Sequence, residues 1–251
     1  MARMLASVTD EREARLVTTL GADIVDAKDP GVGALGALPF ARVAAIRAAL
    51  PADVPVSATV GDPTDDIEAI AAAAVSMADT GIEIVKVGLS IDCEAERTLA
   101  RLGTLDLGGA QLVGVLLADR GIDLGLVTHA RDAGLSGLML DTADKSRGAL
   151  PDIVSAEELV RFIAAVRKAG LFVGLAGSLR VRHVPQLLAL QPDVLGFRGG
   201  LCREGERKGE LDAGAIEAVR LAIKVCNAAS GEACRPLLPG AMAPHQTEDV
   251  A

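Results

Sequence analysis

Short apolar runs alternate with longer amphipathic runs along nearly the whole chain. Apolar runs of about four to eight residues are typical of buried strands, whereas apolar positions three or four residues apart are typical of helices. This pattern predicts eight strands, over residues 4–8, 23–27, 54–59, 82–87, 111–117, 137–140, 171–176 and 194–197. Successive strands begin roughly 20–35 residues apart, which is the length of a βα unit.

Amphipathic segments between these runs predict helices over residues 11–20, 41–50, 67–79, 94–101, 122–133, 156–169, 183–190 and 213–227. The clearest start is at Ser155, because Glu158 follows it at the spacing of a capping box. Eight βα units without a break in composition predict one (β/α)8 TIM barrel over residues 1–227. A six-stranded doubly wound sheet with an appendage is the alternative. Residues 228–251 lack periodicity and predict a C-terminal extension, disordered rather than packed on a neighbouring subunit.

Composition narrows the classes of function. The chain has 251 residues with 2% aromatics, no Trp and no Tyr, so its core must be aliphatic. A formal net charge of −9 and the lack of stacking aromatics argue against nucleic-acid binding. No apolar run reaches the ~18 residues of a membrane span and no signal-peptide pattern is present, which predicts a cytoplasmic protein without membrane contact. Four cysteines and three histidines without metal-ligand spacing predict no metal site.

Charged residues occur where two of the predicted strands end. Side chains alternate across a strand, so Asp26 and Lys28 should share the inward face of the second strand with Ile24. In the fourth strand, Lys86 should share a face with Ile82 and Ile84. A lysine within an apolar strand is poor for packing, but it fits a polar cavity inside the barrel.

The sixth strand ends at Asp141, with Lys145 in the following loop, and the third strand supplies Ser57 and Thr59 on one face. Because barrel enzymes place their sites at the carboxyl ends of the strands, these side chains should meet at one rim. Lysines gathered in a partly desolvated site favour the neutral amine, which can form a Schiff base with a carbonyl group without a cofactor. The alternative is a rim salt bridge of little value.

A separate phosphate site is predicted after the seventh and eighth strands, where TIM barrels frequently bind phosphate. The residues are Gly177 and Ser178 in the first turn and Arg198, Gly199 and Gly200 in the second. Glycines let backbone N–H groups approach an anion, and an arginine can add a charged fork. The alternative is that the glycines merely permit tight turns.

The run GVGALG at residues 31–36 matches the spacing of a dinucleotide-binding loop. Pro30 and Pro39 flank it, and no acidic residue lies at the expected distance downstream, so we interpret it as a mobile βα loop. The three histidines, His129, His183 and His245, are predicted to have surface or packing roles.

Six motifs together resemble the (5-formylfuran-3-yl)methyl phosphate synthase family of methanofuran biosynthesis: DIVDAKDPGVGALGA, PVSATVGD, IVKVGL, LDTADK, GLAGSL and PDVLGFRGGLC. The resemblance runs from about residue 5 to about residue 225. Between Thr59 and Ile82 the chain departs from it, with a compact acidic segment.

The resemblance implies condensation of two glyceraldehyde 3-phosphate molecules into a phosphorylated furan aldehyde, with release of phosphate and water. It implies that Lys28 is the Schiff-base lysine and Lys86 the proton acceptor, with Asp26, Asp141 and Lys145 as further active-site residues. Two alternatives stay open: a class I aldolase for another phosphorylated sugar, and a non-catalytic phosphometabolite-binding protein. A homo-oligomer is expected because barrels of this kind commonly associate.

Overall fold

The computed structural model describes residues 1–91 and 93–230. Its eight parallel strands close into a barrel in chain order, and β1 pairs with β8. The strands are β1 (Arg3–Val8), β2 (Ile24–Ala27), β3 (Val56–Thr59), β4 (Ile84–Leu89), β5 (Gln111–Leu117), β6 (Gly137–Asp141), β7 (Phe172–Leu175) and β8 (Val194–Phe197). The predicted (β/α)8 TIM barrel is therefore confirmed, and the doubly wound alternative is wrong because the sheet is closed.

Helices follow the strands around the outside of the barrel. In the described part of the chain they are α1 (Glu11–Thr19), α2 (Phe40–Ala48), α3 (Ile67–Ala78), α4 (Cys93–Leu102), α5 (Leu126–Asp132), α6 (Leu150–Ile153), α7 (Ala156–Lys168), α8 (Val184–Leu188) and α9 (Ala213–Ser230). None of them is long and apolar enough to cross a membrane.

The main differences from the predicted helices are at α5 and α6. Helix α5 begins at Leu126 rather than at residue 122, because Asp123 accepts a hydrogen bond from the Gly125 N–H at 2.8 Å and forms a turn there. The short helix α6 was not predicted, since its four residues are too few for a periodic pattern. Helix α9 extends to Ser230, and the predicted extension beyond it lies outside the described residues.

Asp10 caps the start of α1. Its carboxylate accepts the Glu13 N–H at 2.8 Å. Glu13 in turn accepts the Thr9 N–H at 2.8 Å, which turns its carboxylate back toward the end of β1. The predicted capping box of α7 is also confirmed, with Ser155 and Glu158 satisfying each other's backbone N–H groups.

Apolar side chains pack in two layers, one between barrel and helices and one inside the barrel. The inner layer contains Leu5, Ile24, Ile84, Val113, Val115, Met139, Phe172 and Val194. Glycines make room for the largest of them: a Cβ on Gly137 would lie 2.6 Å from the Phe172 ring, and one on Gly174 would lie 2.5 Å from Met139. Ile82 packs in the outer layer instead, because β4 begins only at Ile84, so its predicted place beside Lys86 is wrong.

Candidate active site

A pocket of about 400 Å³ opens at the carboxyl ends of the strands. Its floor is the apolar inner layer, represented by Leu5, Val115 and Met139, with Leu35 from the loop after β2. Its charged lining includes all five residues predicted from the strand ends, namely Asp26, Lys28, Lys86, Asp141 and Lys145. The strand alternation read from the sequence therefore brings these side chains together above an apolar floor.

Asp26 is the centre of the first cluster. It pairs with Lys86, whose Nζ lies 2.6 Å from Oδ1. Ser57 donates to the same oxygen at 2.7 Å, and Ser7 donates to Oδ2 at 2.8 Å. Both serines are register partners of Asp26 on the neighbouring strands. The carboxylate is thus fully buried and held by three donors, so its position is fixed before any ligand arrives.

Asp141 is the centre of the second cluster. Lys28 donates to its Oδ2 at 3.1 Å, and Lys145 donates to its Oδ1. The Thr142 N–H also donates to Oδ1 at 2.7 Å, and the Thr142 carbonyl accepts from Lys145. The Asp141 carboxylate therefore binds two lysines, one from the end of β2 and one from the loop after β6.

Burial and charge act on these groups in a defined direction. Burial lowers the pKa of the Lys86 ammonium, and the charge of Asp26 offsets only part of this effect. Burial likewise lowers the pKa of Lys145, again with partial compensation by a carboxylate, here Asp141. Burial by itself would raise the pKa of Asp26 and of Asp141, but the neighbouring lysines outweigh it and hold both values below the usual range. The site therefore favours ionised carboxylates next to lysines that lose their protons more readily than usual.

The loop after β2 covers one side of the pocket and is tied down. Thr59 donates to the Leu35 carbonyl at 2.6 Å. The Asp62 carboxylate accepts the N–H groups of Ala34 at 3.1 Å and Leu35 at 2.6 Å. Leu35 is buried as a result. The loop predicted to be mobile is thus anchored, and only its tip near Val32 is exposed.

Ser57 and Thr59 were predicted to lie at the rim with the charged residues, and in the structure they hold other parts of the site. Both are completely buried, and neither belongs to the pocket lining. Ser57 orients Asp26, and Thr59 anchors the loop at Leu35. Both residues therefore stabilise groups of the site without lining the pocket.

The predicted phosphate turns lie side by side on the pocket wall. Gly177, Ser178, Gly199 and Gly200 line it, and their backbone N–H groups find no acceptor among the described residues. The turns touch at Gly200, where a Cβ would lie 2.3 Å from the Leu179 carbonyl oxygen. Ser178 has φ +51°, which is uncommon for a residue with a Cβ, and such conformations cluster at active sites and ligand-binding loops. The wall can therefore offer several N–H donors to one anion.

Arg198 lines the same pocket, but its guanidinium is occupied. It donates to both oxygens of Glu13, at 2.6 and 3.2 Å, and to the carbonyls of Ser7, Arg207 and Gly209 at 3.0–3.2 Å. These bonds use all five of its N–H donors. The geometry therefore does not favour Arg198 as the predicted charged fork for phosphate. Arg198 instead links the end of β8 to α1 and to the loop between β8 and α9.

The sequence matches the family model described as 4-HFC-P synthase over residues 4–220. The chain belongs to this family. Among its 4-HFC-P synthase relatives is the (5-formylfuran-3-yl)methyl phosphate synthase of Methanocaldococcus jannaschii, which is 34% identical and aligns over 83% of this chain and 94% of its own. A Methylorubrum extorquens protein provisionally given that enzyme name is 40% identical over 87% of this chain and 92% of its own.

A solved structure supports the fold independently. Phosphoribosyl anthranilate isomerase from Thermus thermophilus superposes with a TM-score of 0.63 at 17% identity, over 89% of this chain and 98% of its own. An identity that low bears on the barrel and not on the reaction. The family is named as a synthase, so this chain is a member of an enzyme family.

Four polar residues that line or support the pocket were not identified from the sequence, namely Ser7, Asp119, Arg180 and Arg207. Ser7 could have been found, because it alternates inward with Leu5 and lies opposite Asp26. Asp119, after β5, accepts the N–H groups of Ala143 at 2.6 Å and Asp144 at 2.8 Å, and so fixes the turn that carries Lys145. Arg180 and Arg207 line the pocket from loops without a periodic pattern, which gave no signal in the sequence.

Neither His129 nor His183 lines the pocket. His129 is on the outer surface, 3.7 Å from Glu96. His183 is buried, and its Nδ1 accepts the backbone N–H of Arg180 at 3.1 Å. His245 lies outside the described residues. Within residues 1–91 and 93–230, no three histidine, cysteine or carboxylate side chains are grouped to hold a metal ion. The absence of a metal or cofactor from the reaction stays a prediction.

Proposed function

We propose that this protein condenses two molecules of glyceraldehyde 3-phosphate into (5-formylfuran-3-yl)methyl phosphate through a Schiff base on Lys28. The atoms balance when one inorganic phosphate and two waters leave. The product would serve the biosynthesis of methanofuran or a related one-carbon carrier. Family membership supports the product, and one structural observation supports the mechanism: Lys28 meets Asp141 at 3.1 Å inside a pocket that also contains the buried pair of Lys86 and Asp26.

In the first step the Lys28 amine attacks a carbonyl carbon of one triose phosphate. A carbinolamine forms, the carbonyl oxygen leaves as water, and a protonated imine links Lys28 to the substrate. Asp141 is placed to hold this cationic nitrogen, because a carboxylate stabilises a neighbouring positive charge in a partly desolvated site. Lys145 fixes the other oxygen of Asp141.

The imine then withdraws electrons from the adjacent carbon, so that a base can remove a proton there. Lys86 suits this role, because burial lowers the pKa of its ammonium and favours the neutral amine that accepts a proton. The resulting enamine carbon attacks the aldehyde of the second triose phosphate and forms the new carbon–carbon bond. Elimination of one phosphate, loss of two waters and ring closure give the furan, and hydrolysis of the imine takes up the water released when it formed and returns Lys28.

A phosphorylated substrate suits the pocket electrostatically. Seven cationic and three acidic side chains line it, although the chain as a whole has a net charge of −9. The N–H groups of Gly177, Ser178, Gly199 and Gly200, which have no acceptor in the described part of the chain, offer an anion-binding wall beside the lysines. Local charge of this kind concentrates anionic ligands from solution.

Product analysis tests the proposal. Purified protein is incubated with glyceraldehyde 3-phosphate alone, and the product is analysed by mass spectrometry and furan absorbance, with inorganic phosphate measured in parallel. We expect the furan phosphate and one phosphate per product. An open-chain sugar phosphate without furan absorbance would favour a class I aldolase instead, and binding without turnover would indicate a phosphometabolite-binding protein.

A further inference from the structure

Arg207 is a half-buried arginine in the loop between β8 and α9, and it lines the pocket. Among the described residues, no carboxylate oxygen lies within 4.0 Å of its guanidinium. Within the same residues, its only hydrogen bonds run from both terminal nitrogens to the Gly33 carbonyl at 3.3 Å, longer than an ordinary N–H···O bond.

Arg198 provides an internal comparison on the same segment. All five of its N–H donors are matched, and a buried glutamate neutralises its charge. Arg207 is left with donors that face the pocket, and the charges of Asp141, Asp62 and Asp29 offset only part of the effect of burial on its pKa. Burying a charge without a hydrogen-bonded counter-ion is unfavourable, and an anion bound in the pocket would lower that cost.

Arg180 also lines the pocket and, like Arg182, forms no ion pair within the described part of the chain. It follows the Gly177–Ser178 turn, and its Nη2 makes only a 3.5 Å contact to the Gly205 carbonyl. A Cβ on Gly200 would lie 3.2 Å from the Arg180 Cα, so the backbone at Arg180 adjoins the glycine wall. Arg180 thus belongs with the N–H donors of that wall.

Arg207 extends in another direction. The Arg207 Cβ lies beside Gly199, since a Cβ built on Gly199 would be 3.4 Å from it. The guanidinium at the other end of the side chain donates to the Gly33 carbonyl in the loop after β2. Arg207, Asp141 and Lys145 line the same pocket. Burial lowers the pKa of Arg207, and the charge of Asp141 offsets part of this effect.

We infer that the pocket holds two phosphate groups at once, one on the glycine wall with Arg180 and a second in the fork of the Arg207 guanidinium. A guanidinium presents two parallel N–H groups that match a phosphate, which makes one arginine an effective anion site. The inference rests on the proposed function in taking phosphorylated substrates. It goes further by assigning the second phosphate a subsite of its own.

Calorimetric titration with sn-glycerol 3-phosphate tests the inference. This probe has no carbonyl group and cannot form a Schiff base, so binding is measured apart from chemistry. We expect two molecules bound per chain in the parent protein. Arg207→Gln should bind one of them about tenfold or more weakly, because it loses charged hydrogen bonds. Arg180→Gln should weaken the other.

The matched control is Arg203→Gln, an exposed arginine on the same segment that lies 4.0 Å from Glu210, and it should leave both sites unchanged. Thermal unfolding checks that each variant is folded. Arg207→Lys, which keeps the charge without the fork, should retain two sites with one weakened, and it serves if the glutamine variant does not fold.

One bound molecule in the parent protein, or two undiminished sites in Arg207→Gln, would overturn the inference. Two sites in a protein that forms no furan would leave the inference standing and reject the proposed reaction. A single site in a protein that does form the furan would reject the inference of two phosphate sites and leave the proposed reaction standing.

Discussion

The Nζ of Lys86 lies 2.6 Å from Oδ1 of Asp26, and 6% of the lysine side chain and 1% of the aspartate side chain are exposed. Burial still lowers the pKa of the lysine, even with a carboxylate at this distance. The pair is therefore an arrangement in which the lysine can give up its proton while remaining fixed in place. This is what a proton-accepting lysine requires.

The pH dependence of kcat/KM should reveal this lysine. Only neutral Lys86 can accept a proton, and the neutral fraction grows as pH rises. Because the pKa of Lys86 is lowered, the ascending limb of the profile should have its midpoint below the value of about 10.4 for a free lysine. A rate that keeps rising up to that value would contradict the assignment of Lys86.

Asp26→Asn should move that midpoint to lower pH. The carboxylate stabilises the charged form of Lys86, so its removal lowers the pKa of Lys86 further. The maximal rate should fall as well, because the lysine loses the partner that orients it. Asp53→Asn, which changes an exposed carboxylate ahead of β3, is the control and should leave the profile unchanged. A midpoint shifted to higher pH in Asp26→Asn would mean that Lys86 is not the titrating group.

Asp119 should act as a positioning residue for Lys145. Asp119→Asn loses one of two acceptors for the N–H groups of Ala143 and Asp144, which loosens the turn. We expect kcat to fall by about tenfold, as found for residues that orient active-site groups, with KM and the thermal midpoint little changed.

Asp123→Asn is the matched control for Asp119, because Asp123 also accepts a backbone N–H in the β5–α5 connection but lies at the surface. Equal losses in both variants would assign Asp119 a general structural role only.

Arg198 should matter for stability more than for substrate binding. Arg198→Met leaves the Glu13 carboxylate buried without its partner, which should lower the free energy of unfolding by about 3–5 kcal/mol. Chemical denaturation measures this, and Arg203→Met, at a side chain that is 69% exposed, is the control. An unchanged unfolding free energy together with weakened binding of glycerol phosphate would restore Arg198 as a phosphate ligand.

The fold and the strand-borne part of the site could be predicted because both depend on short-range periodicity. Strand alternation alone placed Asp26 and Lys28 on the inner face. The structure confirms this for Asp26 through the register of β1 to β3 and for Lys28 through its place in the pocket lining. Asp141 and Lys145 were found because the carboxyl ends of parallel strands share one rim.

The remainder depends on contacts between distant loops, for which the sequence has no periodic signal. Whether an arginine is neutralised is set by such contacts: Glu13 lies 185 positions from Arg198, while Arg207 has no carboxylate partner among the described residues. The same holds for Thr59, whose hydroxyl is used by a carbonyl 24 positions away. The roles of the site residues, the homo-oligomer and the cytoplasmic location stay predictions.

Reductive trapping is the most direct test of Lys28 as the Schiff-base residue. Protein and glyceraldehyde 3-phosphate are treated with borohydride, and the modified peptide is mapped by mass spectrometry. We expect one substrate adduct on Lys28, and none in Lys28→Arg, which keeps the charge next to Asp141. An adduct on Lys86 with Lys28 unmodified would reverse the two roles. No adduct on any lysine, with full activity in Lys28→Arg, would contradict the Schiff-base mechanism.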